Sequence, residues 1–185
     1  MARDAVYEAT REVRTYVVLA KGAEVLIEKS KQDEEGSFYT RMSSLLLTAF
    51  TFEAYLNHLG TKIITFWEEI EPIRVMDKYS VLYKQLKIKP NFGSRPYQTL
   101  ELLFKFRNAI AHGKSEILEK TKMVRAQDDL HSHKPLTNWE KYCTLDNAKR
   151  AKEDISKIIN ELHKAAGLDG DPFILSSITE SSIGE

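Results

Sequence analysis

Arg107 and His112 stand with four residues between them in the run R-N-A-I-A-H, at the end of the most apolar long stretch of the chain. An arginine stays charged, and its planar fork can hold two oxygens of one phosphate. A histidine titrates nearest neutrality, so it can both take and give a proton. Side by side, the two are the smallest set of groups that could move a phosphodiester without a metal. A second reading stands beside that one. Arg107 can pair with Glu53 or Glu101, and His112 can simply cap the end of a helix, where a cation is favoured.

The element that must position them is a helix. Tyr97 to His112 contains no Gly or Pro, which predicts one helix of about four to five turns. Pro96 suits its first turn and Gly113 its stop. On this helix Leu102, Leu103, Phe106, Ala109 and Ile110 are assigned to the core face. Glu101, Lys105, Asn108 and His112 form a polar stripe. Leu100, Phe104 and Ala111, interrupted by Arg107, make a second apolar patch. That patch is either buried against other helices or meets a second copy of the chain.

Other residues could support the site. Glu53 and Asn57 lie about one turn apart on a flank that also carries Leu46, Phe50, Gly60 and Ile64. An acid and an amide on an apolar flank need partners, because an unpaired buried charge is costly. They serve either as a structural pair or as groups orienting Arg107 and His112. From Lys105 to Arg125 there are six basic residues against two acidic ones, a local charge of +4. Lys105, Lys114, Lys120, Lys122 and Arg125 read as a solvated face or as phosphate contacts.

Most other chemistry finds little footing. His131 and His133 would need further ligands, and only Asp128, Asp129 and the distant Cys143 offer themselves, so no metal is expected. His58 and His163 read as packed residues, and Cys143 as a buried or incidental one. There is no Gly-rich phosphate loop, and nothing singles out a nucleophilic serine.

Scarce Gly and Pro predict an all-α chain. The first helix is expected over Arg3–Lys29, with Val6, Ala9, Val13, Tyr16, Ala20, Ala23 and Ile27 as its seam. A second follows from Phe38, with the seam Met42, Leu45, Ala49, Phe52, Leu56, Leu59 and Ile63. A short helix is expected over Met76–Leu86. A final one starts at Leu145 behind an N-cap at Thr144, and Ala148, Ala151, Ile155, Ile158, Leu162 and Ala165 are its seam. Ser115–Arg125 reads as a helix or an extended arm, and Gln127–Asn138 as a loop. Residues 1–168 form a single domain, and 169–185 a loosely ordered Ser- and acid-rich tail. The architecture expected is an antiparallel bundle of four to five main helices.

Composition bounds the rest. The 185 residues carry 27 basic and 27 acidic side chains, so no whole-molecule attraction draws nucleic acid. A single cysteine excludes an internal disulfide. No apolar run approaches a membrane span and the N-terminus lacks a signal-like apolar region, so a cytoplasmic location without membrane is expected.

The run R-N-A-I-A-H, late in an apolar helix and followed by Gly, resembles the R-x4–6-H motif of HEPN domains. The earlier F-E-A-Y-L-N segment is similar to that family's preceding long helix, and the likeness covers roughly residues 40–166. The resemblance implies an all-α bundle that forms a two-fold dimer through the Tyr97–His112 helix. It further implies a metal-independent endoribonuclease without a cofactor, with RNA as substrate and defence or stress response as its setting. Arg107 and His112 match the catalytic pair, Asn108 the polar position after the arginine, and Glu101 an acid that some members carry. Glu53 and Asn57 match more loosely. The RNA 2′-hydroxyl would attack the adjacent phosphate, leaving a 2′,3′-cyclic phosphate and a 5′-hydroxyl. In the toxin branch paired with a nucleotidyltransferase antitoxin, a tyrosine lies two residues after the histidine. Here that residue is Lys114, which argues against such pairing and leaves the lysine as a phosphate contact. A non-catalytic HEPN-like module for nucleotide or protein binding is the alternative. An antitoxin or another protein partner remains a further expectation.

Overall fold

The longest seam in the sequence forms the longest helix. In the computed structural model, which describes residues 6–123, 125, 133–174 and 180–184, α2 spans Ser37–Ile63. Leu45, Ala49, Phe52, Leu56 and Leu59 along it are fully buried. Gly36 precedes it at φ +72°, a left-handed backbone that glycine adopts without strain. α1 (Thr15–Gln32), α4 (Val75–Gln85), α5 (Tyr97–Ala111) and α7 (Leu145–Ala165) all pack on α2. Two short helices, α3 (Trp67–Ile70) and α6 (Asn138–Tyr142), complete the helical set among the described residues. The fold is mostly helical, in keeping with the all-α expectation.

Caps explain several of the boundaries. Thr144 Oγ1 accepts a hydrogen bond from the Asn147 N–H at 3.1 Å and starts α7 where the sequence placed it. Thr137 and Glu140 form a reciprocal capping box that starts α6. The expected 127–138 loop therefore gives way to a helix at Asn138, and residues 127–132 lie outside the described set. α5 ends one residue before the expected His112, which is instead its C-cap.

The first helix needs correction. It begins at Thr15, not Arg3, and Val6–Thr10 is a strand, β1. β1 pairs antiparallel with β2 (Glu180–Gly184), Val6 opposite Gly184 and Thr10 opposite Glu180. Local periodicity is blind to a partner at the far end of the chain. The expected 169–185 tail contributes β2, and Phe173 of the same segment stacks edge-on against Tyr16 at 6.5 Å. Of the two readings of Ser115–Arg125, helix or extended arm, the helix does not form: residues 113–123 carry no regular structure, with Ile117 93% and Met123 98% exposed.

The face of α5 is also rotated from expectation. Leu100 and Phe104, assigned to a second patch, are buried inside this chain, whereas Leu102 and Ala109 are exposed and Ile110 half-buried. Phe104 meets Phe52 of α2 with ring centres 5.9 Å apart, and Phe106 meets Tyr142 at 5.3 Å. Burying a Leu or Phe fully is worth about 1.5–3 kcal/mol. The helix therefore turns toward these aromatic partners, and Leu100 and Phe104 need no second copy.

Candidate functional site

α5 supplies one wall of the site. Along a helix each residue advances about 100°, so Arg107 and His112 stand roughly 140° apart, with Phe104 and Asn108 between them. All four line one pocket of about 570 Å³. Glu53 of α2 lines it too, and Ile73 to Asp77 at the start of α4 form the opposite wall.

Arg107 is held on three sides. Its Nη1 donates to Asn108 Oδ1 at 3.1 Å, and its Nη2 lies 3.5 Å from Glu53 Oε2. Its guanidinium carbon sits 6.0 Å from the centre of the Phe50 ring, at the reach of a cation–π contact. The side chain keeps 25% of its surface exposed, so the cation is oriented but not enclosed. His112 is exposed at the helix end, its backbone N–H bonded to the Asn108 carbonyl at 3.0 Å. Arg74 and Asp77 add one charge of each sign to the lining of the pocket.

Glu53 and Asn57 find the partners that their chemistry requires. Lys78 of α4, only 3% exposed, donates from Nζ to Asn57 Oδ1 at 3.1 Å and lies 3.6 Å from Glu53 Oε1. One carboxylate is thus shared between a buried ammonium and the pocket arginine. Sequence reasoning missed Lys78, because a lysine in a short amphipathic helix ordinarily lies in solvent. The signal available was the demand itself: an acid and an amide on a half-buried flank of α2 called for a donor.

Of the residues proposed for the site, Arg107, His112, Asn108 and Glu53 line the pocket, while Glu101, Lys105 and Asn57 do not. Lys114, Lys120, Lys122 and Arg125 follow α5 and are exposed. Lys105 sits with Leu102, Ala109, Trp139 and Tyr142 on a neighbouring hollow of about 270 Å³. Among the described residues no group of three or more His, Cys, Asp or Glu could hold a metal ion, and His131 lies outside them. Cys143 is buried, and burial pushes its thiol up to about 11, which does not suit a nucleophile. His163 is packed inside, with Nδ1 3.1 Å from the Tyr55 hydroxyl. No helix among the described residues is long and apolar enough to cross a membrane.

Comparisons of the chain with protein-family models, with curated proteins and with solved structures found no match.

Proposed function

We propose that this chain is a HEPN-like endoribonuclease whose helices form the family's bundle, and that it cleaves RNA without a metal at the Arg107–His112 pocket. The observation that carries the reading is the shared wall of that pocket, where a partly exposed arginine and an exposed histidine flank one concavity. In the reaction the 2′-oxygen bonds to phosphorus and the bond from phosphorus to the 5′-oxygen breaks. A base takes the 2′-hydroxyl proton and an acid returns one to the leaving 5′-oxygen. Arg107 stabilises the charge growing on the phosphorane. Asn108 holds the guanidinium toward the pocket. The products are a 2′,3′-cyclic phosphate and a 5′-hydroxyl.

One imidazole cannot be base and acid in a single step. A two-fold dimer that brings together two copies of His112 meets that need. The exposed Leu102 and Ala109, on the face of α5 next to His112, give a second copy an apolar surface. Lys105, Lys114, Lys120, Lys122 and Arg125 would then flank the bound strand. Cleavage of defined RNAs in the presence of a chelator, with mapping of fragment ends, tests the reading. His112→Ala is expected to lose about 10²–10⁴ in rate while keeping its circular dichroism, and full activity of this variant excludes the assignment.

A second reading has its own observation. The Arg107–Glu53 ion pair already occupies part of the guanidinium, as it would in a non-catalytic module that binds a nucleotide or a protein. Phosphate-dependent binding with no cleavage by the wild type would favour it.

A further inference from the structure

Glu53 presents one oxygen to each of two cations. Oε1 faces Lys78 Nζ at 3.6 Å, and Oε2 faces Arg107 Nη2 at 3.5 Å. Arg107 lines the pocket and Lys78 does not. Lys78 is instead enclosed, 3% exposed, and its ammonium also donates to Asn57. Burying an ammonium is costly, and an apolar side chain of similar length could fill that space without desolvating a charge. Packing alone therefore does not explain a lysine here.

The charge pattern does. Were Glu53 to face Arg107 alone, the carboxylate would cancel the one cation that the pocket wall offers from α5. With Lys78 behind it, the trio of Lys78, Glu53 and Arg107 carries a net +1, and Arg107 is the cation of the trio that lines the pocket, beside the opposite charges of Arg74 and Asp77. Asn57 fixes the ammonium, the ammonium engages one oxygen of the carboxylate, and Asn108 holds the guanidinium toward the pocket. We propose that Lys78 is a positioning residue: acting as the inner counter-ion of Glu53, it leaves Arg107 free to bind a phosphate group. This rests on reading the pocket as a phosphate site, but it does not require that the bound phosphodiester be cleaved.

The test is titration of the full chain with inorganic phosphate, following the Arg107 side-chain Nε–H resonance. Lys78→Gln removes the charge while keeping a donor for Asn57. It is expected to weaken phosphate binding on the order of tenfold. The double variant Lys78→Gln with Glu53→Gln removes both charges and is expected to recover wild-type binding. If Lys78→Gln does not fold, Glu53→Gln alone serves, and it is expected to bind phosphate at least as tightly as wild type. A folded Lys78→Gln with unchanged affinity, a double variant that stays weak, or a weakened Glu53→Gln overturns the proposal. So does a wild type that binds no phosphate at Arg107. Wild type and variants that behave as expected without cleaving RNA would uphold the role of Lys78 while refuting the ribonuclease.

Discussion

At Gly60 an added β-carbon would fall 2.1–2.3 Å from three carbons of the Trp67 indole. That ring is itself 1% exposed and packs onto the last turns of α2. At an ordinary helical site Gly→Ala gains about 1 kcal/mol. Here the ring must move, and crowding a filled core costs about 1–3 kcal/mol. Gly60→Ala is therefore expected to lower stability by about 1 kcal/mol net in urea unfolding, and a raised midpoint would show that the indole has another seat. Residue-scale facts of this kind were unevenly legible in the sequence. The cost of burying charge told that Glu53 and Asn57 need partners, and the motif drew attention to Arg107 and His112. Neither Lys78 nor the contact of Trp67 with Gly60 has a local signature, since each depends on a residue from another element arriving at the right place.

The element that matters most is α5, and it is fastened at its start as firmly as at its site. Arg95, just before it, donates from Nε and Nη2 to the two oxygens of Asp154 at 2.7 and 2.8 Å. Thr99 Oγ1 adds a third bond to the same carboxylate at 2.7 Å. Asp154 belongs to α7 and its side chain is 1% exposed. Burial alone would raise its pKa. The hydrogen bonds from Arg95 and Thr99, with the charge of Arg95, outweigh that and hold it below the usual 3.8. A carboxyl depressed in the folded state adds stability that is fully present above its ordinary value and is lost as pH falls through the lower native value. The stability gap between wild type and Asp154→Asn is thus expected to be constant near neutrality, about 2–3 kcal/mol for charged hydrogen bonds, and to shrink below that usual value. Chemical unfolding at a series of pH values checks it, and a gap independent of pH would assign the loss to packing instead. α7 and α2 were readable because their seams are long and the N-cap of α7 is explicit. The start of α1 and the rotation of α5 were not, because a distant strand and two aromatic partners decided them.

For the whole molecule, zero net charge means that any RNA affinity must come from local placement. The described cations that could supply it cluster on and after α5, which also carries the exposed Leu102 and Ala109. Apolar contact at that face would bring two such clusters together and place two copies of His112 near one strand, whereas the pocket of a lone chain is lined by one imidazole, that of His112. The two arrangements differ in a measurable way. With RNA in excess, wild type is held at fixed concentration while His112→Ala is added in increasing amounts. If each chain works alone, the inert variant leaves the rate of cleavage unchanged. If the working groove is built from two copies, wild-type chains are drawn into mixed pairs with one imidazole each. The rate is then expected to fall toward zero as the variant exceeds wild type. Adding Leu102→Asp to the His112→Ala chain is expected to abolish this suppression, because a charge on the contact face keeps the variant from pairing. Suppression that survives the Leu102 change would move the contact to another face of the molecule, and no suppression at all would return the chemistry to one subunit.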